Sequence, residues 1–203
     1  MILTEIGEVG VHAGEEHYVL RPSLYAMTQL GEPTEIVATY ASVMGDLIAE
    51  SHADAQLGDA LAVLYACSES DLSPVFGHFD GAGRYVPGVA NPAHILPLAR
   101  CLMKHGIVGA LPALPRKHDD EQEFVTEFVA RDHVALAMAH LGVTEKDAWN
   151  MTMTSLVGAL RAKFPQIENS APGAKAPTID EHEATMEWFD KIEAKRNKAQ
   201  GVH

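Results

Sequence analysis

Two sets of residues in this chain have the types and spacing for chemistry. His94, Cys101 and His105 stand at i, i+7 and i+11 on one stretch that reads as helix. Cys101 and His105, one turn apart, can grip a single metal ion, with Cys67 or His78 completing a tetrahedral zinc site. Two turns separate His94 from Cys101, about 10 Å of helix, too far for both to reach one ion. No CxxC or HxxxH pair accompanies them, and cysteine on the inward face of a helix ordinarily behaves as a small apolar residue. The second set is a cysteine nucleophile with a histidine base, at Cys67 or Cys101. Neither thiol lies in a recognisable nucleophile context, and both read as structural thiols. The glycines at 77, 81, 83 and 88 match neither a P-loop nor a dinucleotide-binding fingerprint, so they read as turn residues. The 11 histidines are scattered without acids at useful spacing, which makes them surface or core residues. The expectation is a protein that is not an enzyme, with no catalytic residues and no cofactor. Cys101 and His105 remain its metal candidates.

Composition narrows the partners. Acids outnumber bases 28 to 15, a formal charge of -13. A chain that binds the nucleic-acid backbone needs a positive footprint, and one that docks on anionic lipid needs the same; neither partner is expected. An acidic surface keeps a protein soluble and steers it toward basic partners. An apolar share of 47% supplies a core, and an aromatic share of only 6% beside abundant Ala and Leu favours helices over a β-sandwich. Two cysteines exclude a disulfide framework. The opening MILTEIGEVG lacks the basic region of a signal peptide, and no apolar run approaches the ~20 residues that span a bilayer. A reducing cytoplasm is expected.

The elements that must position these residues follow from periodicity. Residues 2–22 read as a β-hairpin turning at Ala13-Gly14-Glu15-Glu16. Ser23 caps a short helix that stops at Gly31, and Pro33 opens a second with a stripe of Ile36, Val37, Tyr40, Val43 and Met44. Asp54 caps a third, running to about Glu69 with Leu57, Leu61, Leu64 and Tyr65 inward. Asp71 to Gly77 adds one turn, and the glycine-rich 77–88 must bend sharply. Asn91-Pro92 starts a helix that runs to His105, with Gly106 as its stop. The stretch 111–120, with two prolines, reads as a domain boundary, and 121–128 fits either helix or extended chain. Val134, Met138 and Leu141 then mark a helix face ending at Gly142. Thr144 caps the next helix, and Thr152 or Thr154 caps a last one carrying Met153, Leu156, Val157, Leu160 and Phe164 to Pro165. The expected fold is mainly α: an N-terminal β-hairpin with a helical bundle over 1–110 and a small C-terminal helical module over 121–165. A flexible linker over 166–178 leads to a linker-borne terminal helix over 179–200, in which Trp188 and Phe189 await a partner or fold back over the body.

Trp149, between two short helices, reads either as a core anchor or as an interface hot spot. It also stands in the segment that resembles something known. HLGVTEKDAWNMTMTSLVGALRAKFP, His140 to Pro165, resembles the C-terminal module of tailed-bacteriophage tail assembly chaperones, which carry a small helix, a Trp and an LTMTE-like turn opening the next helix. The matching residues are Trp149, Met151, Thr152, Met153 and Thr154; Ser155 stands where the family tends to have Glu, which puts any contact made by that Glu in doubt. Glu5 to Ala41, a hairpin followed by RPS and a helix ending LG-x-P, resembles the opening of a phage-encoded family of similar length, as does LARCLMKHGIVG further on. The resemblance implies a non-enzymatic protein of the bacterial host's cytoplasm that binds tape-measure and tail-tube proteins during tail morphogenesis, and it leaves a homo-oligomer open. On this reading Trp149, Met151, Met153, Leu156, Leu160, Trp188 and Phe189 are the partner-binding residues. The alternatives are a minor tail or connector protein retained in the virion, and a small zinc-binding protein built on Cys101 and His105.

Overall fold

The computed structural model describes residues 2–46, 52–112 and 125–165. The expected linker, the terminal helix, and Trp188 and Phe189 lie outside the described residues. The chain is mainly helical, with an N-terminal antiparallel hairpin ahead of the helices. Strands β1 (Val9–Ala13) and β2 (Glu16–Leu20) pair from Val9 with Leu20 to Ala13 with Glu16. Gly14, at φ +64, opens the two-residue loop between them.

Local chemistry accounts for the helix boundaries. Helix α1 (Leu24–Thr28) begins where Ser23 Oγ accepts the Ala26 N–H at 3.0 Å. Helix α2 (Pro33–Met44) has Pro at its first position and a capping box between Glu32 and Glu35. Helix α3 (Ala53–Ala66) has Asp54 in its first turn rather than at its cap, and it ends at Ala66, three residues short of the expected Glu69. Helix α4 (Ser73–Phe76) is a single turn held by Asp71, and the glycine-rich stretch after it is the small hairpin β3 (His78–Phe79) and β4 (Tyr85–Val86).

Asn91-Pro92 starts a 3-10 turn that leads into α5 (Ile95–Met103). Gly106 does not stop this helix. The backbone instead widens into a π-helical turn, Lys104–Val108, and ends at Gly109 with φ +82. Gly106 is buried because its bare Cα faces Met27 and Pro22; a Cβ there would sit 2.7 Å from the Met27 sulfur. Close approach, not helix termination, explains this glycine.

Helices α6 (Ala130–Leu141), α7 (Glu145–Asn150) and α8 (Met153–Lys163) follow. Gly142 closes α6 in the left-handed conformation, and Thr144 Oγ1 caps α7 by accepting the Asp147 N–H at 3.2 Å. The buried face of α6 is Ala130, Val134 and Ala137; Met138, expected inward, is 41% exposed. Small residues let α6 approach α1 and α7 closely, and Met138 lies about 70° around the axis from that seam.

The 125–165 segment shares its core with the rest of the chain. Helix α6 packs on α1, α7 and α8, while α8 packs on the π-helical turn. Residues Met1–Phe164 form one compact unit, so the described part of the expected C-terminal module is built into the N-terminal body. The core centres on Leu20, Leu24, Met27, Leu64, Leu102 and Leu156, all essentially inaccessible. Helix α5 runs along α3, and both lie against α2. The last turn of α2 is capped from outside: Arg100 donates to the Val43 and Gly45 carbonyls at 2.8 and 2.7 Å, and Gln56 to the Ser42 carbonyl at 2.7 Å.

Thr152 is fully buried and caps α8, its Oγ1 accepting the Ser155 N–H at 3.1 Å. Thr152→Ala is expected to cost about 1–2 kcal/mol in denaturant unfolding, with Thr152→Ser recovering most of it.

Candidate functional site

The residues with metal or nucleophile chemistry do not converge. Cys101 is exposed on α5. His105 lies in the π-helical turn; its ring packs against Gly7, and its Nδ1 lies 2.9 Å from Thr154 Oγ1. His94 is exposed in the 3-10 turn, and His78 is exposed on β3. Among the described residues no group of three His, Cys, Asp or Glu side chains is placed to hold a metal ion. Cys67 is buried at the C-terminal end of α3, and desolvation drives its thiol pKa far above the ordinary value, so it carries no thiolate near neutral pH.

The glycines of 77–88 serve chain packing. Gly77 has φ +82, and a Cβ there would lie 2.2 Å from the Val86 carbonyl oxygen; one at Gly88 would lie 2.3 Å from that of Val75. The Tyr65 and Tyr85 hydroxyls donate to the Gly77 and Phe76 carbonyls, pinning the loop to α3 and α4.

The resemblance-bearing residues do converge, and on one another. Ser23 and Thr152 form an isolated antiparallel bridge, and Leu24 N–H donates to the Met151 carbonyl at 2.8 Å. Each partner caps its own helix, so the starts of α1 and α8 meet. Two residues on, Thr154, buried like Thr152, accepts the Ala110 N–H at 2.9 Å and contacts His105. The Met151–Thr154 run therefore ties α8 to both α1 and the π-helical turn.

This placement corrects part of the expected partner-binding set. Met153 and Leu156 are 5% and 1% exposed, buried in the protein's own core, so a partner cannot reach them here. Trp149, Met151 and Leu160 are half-buried and packed against the same core. The Trp149 indole N–H points at Glu145 Oε1, 3.4 Å away. On these helices the exposed large apolar side chains are Leu136, Met138 and Phe164. Leu136 and His140, one turn apart on the outer side of α6, lead to Phe164 at the end of α8; Leu136 is 38% and Phe164 51% exposed. The Phe164 ring meets His140 edge-on at 5.4 Å. Sequence reasoning put Phe164 in the α8 stripe and did not single out Leu136. An apolar residue off the buried seam was the available signal.

Two further residues were missed. Glu8 is 2% exposed; its Oε2 accepts the Leu3 N–H, and its Oε1 takes Arg21 Nη2 at 2.6 Å and Nε at 2.7 Å. The pair anchors the chain start and the end of β2 together. Nothing local marks it, because the partners stand thirteen residues apart.

A family model described as a family of unknown function, DUF6246, matches residues 20–57 and 47–184. The chain belongs to the DUF6246 family. Its second match runs through 111–120, the stretch expected to divide the chain. No curated protein and no solved structure matches the chain. No helix among the described residues is long and apolar enough to cross a membrane.

Gly77→Ala is expected to destabilise by about 2–4 kcal/mol, since both positive φ and a backbone clash oppose it. Burial lowers the pKa of His105 and of His133 below the ordinary 6.5; nearby Lys104 adds to the lowering at His105, while Asp132 opposes it at His133. A depressed histidine pKa means the unfolded chain binds protons first. Stability should therefore be full above pH 6.5 and fall as pH drops toward the folded values. Thermal melts from about pH 7 to 5 should show falling Tm, and His105→Gln should flatten that slope.

Proposed function

We propose that this DUF6246 protein is a non-catalytic assembly factor for phage tails, acting in the bacterial host's cytoplasm by binding tape-measure or tail-tube polypeptides. The observation that carries this reading is the pairing of two features in 129–165. The run that resembles tail assembly chaperones, Trp149 to Thr154, meets the start of α1 through Met151 and Thr152. That joint carries an outer surface on which Leu136 and Phe164 are left uncovered. Exposed apolar side chains on a scaffold fixed by buried caps are what a protein-binding surface needs. The acidic balance, -13 overall, suits capture of basic segments and disfavours nucleic acid.

Co-expression with the tape-measure and tail-tube proteins of the same genome tests the proposal. A soluble complex is expected. Leu136→Asp and Phe164→Asp should each weaken it by about tenfold or more while circular dichroism stays unchanged. Tape-measure protein that stays insoluble and unbound, with either order of expression, overturns the reading. A peptide map of purified particles separates an assembly factor, absent from them, from a minor tail or connector subunit, present in them.

A further inference from the structure

The hairpin carries an unfinished sheet edge. Its closing pair, Ala13 with Glu16, flanks a two-residue loop, which makes it a hydrogen-bonded pair. By alternation Tyr18 and Leu20 bond to β1, and His17 and Val19 turn their backbone N–H and C=O groups outward. Arg21, two residues further along, shows that direction: its N–H donates to the Cys67 carbonyl at 2.7 Å. Cys67 thus fills the first rung of a third strand, and the chain then leaves toward Ser70. The next two rungs, at Val19 and His17, open onto a cleft of about 850 Å³. Across it stand Tyr25, Gln29 and Asn150. Tyr25 is 57% and Val19 37% exposed, so an aromatic ring and a β-branched side chain border the vacant strand position.

The charge around this position is one-sided. Arg21 is the basic residue on the cleft wall, and it is committed to the buried Glu8 carboxylate. Glu69 lines the cleft, and Glu16 accepts the Tyr18 hydroxyl at 2.5 Å. Tyr18 feels both neighbouring acids: the hydrogen bond to Glu16, a little desolvation, and the charges of Glu16 and Asp71 raise its pKa above the ordinary value.

We infer that β2 is a docking edge for an extended, proline-free segment of a partner polypeptide bearing Lys or Arg, which adds as a third strand along His17 and Val19. Backbone pairing supplies the binding, and side-chain contact with Tyr25 and the acidic rim supplies the preference. This site is separate from the Leu136–Phe164 surface and stands whether or not the partner is a tail protein.

The probe is a fluorescein-labelled peptide, KVTVTVK, with EVTVTVE and KVTPTVK as comparisons, titrated into the full chain by anisotropy. KVTVTVK should bind, EVTVTVE about tenfold more weakly, and KVTPTVK not measurably. Amide exchange should show new protection at His17 and Val19. Val19→Pro removes an outward N–H and no ladder bond; it should abolish binding while the melt stays cooperative. Absence of binding up to about 1 mM peptide, or protection at residues other than β2, overturns the inference. Protection of the same amides that rises with protein concentration in the absence of peptide overturns it in favour of a second copy on this edge.

Discussion

The meeting of two helix starts, Ser23 on α1 and Thr152 on α8, is the constraint from which the rest of the fold follows. Each residue spends its hydroxyl on its own helix and its backbone position on the other. Both are buried, with no more than 6% of their surface exposed. A polar group that deep must be satisfied, and here the satisfaction is mutual: the bond between Leu24 N–H and the Met151 carbonyl closes the junction. Helices separated by more than a hundred residues are thereby held in one register, and the core of Leu24, Met27 and Leu156 forms around them.

That constraint divides the C-terminal helices into two kinds of surface. Facing inward, Met153, Leu156, Thr152 and Thr154 are committed to the fold. Facing outward, Leu136, Met138 and Phe164 are not. The Met151–Thr154 run therefore marks a joint, and the exposed apolar side chains sit beside it. Ser155 serves this joint through its backbone, its N–H donating to Thr152 Oγ1.

Long polar side chains close the chain's own open ends. Arg100 and Gln56 close the end of α2, Arg161 donates to the Pro112 carbonyl at 2.7 Å, and Lys163 donates to the His140 carbonyl. Arg21 holds Glu8, and Arg84 holds Asp80. These cations satisfy carbonyls and carboxylates of the chain itself, while Arg84 and Lys163 stay exposed and keep their charge at the surface.

Read without coordinates, the sequence determined the hairpin and its turn, the caps at Ser23 and Thr144, and the stop at Gly142, because these rest on residues within a few positions of one another; it left the cap of α8 between Thr152 and Thr154, and the structure chose Thr152. It also determined that helices would dominate, through abundant Ala and Leu and few aromatics. Tertiary structure alone decided that Gly106 is a packing contact inside a π-helical turn, that Met138 faces out while Ala137 faces in, and that Glu8 finds Arg21. It also decided that Cys101 is exposed while His105 packs against Gly7 and Thr154. These outcomes depend on what a distant segment brings to the same place, and a period of 3.6 residues says which positions share a face but not which face is covered.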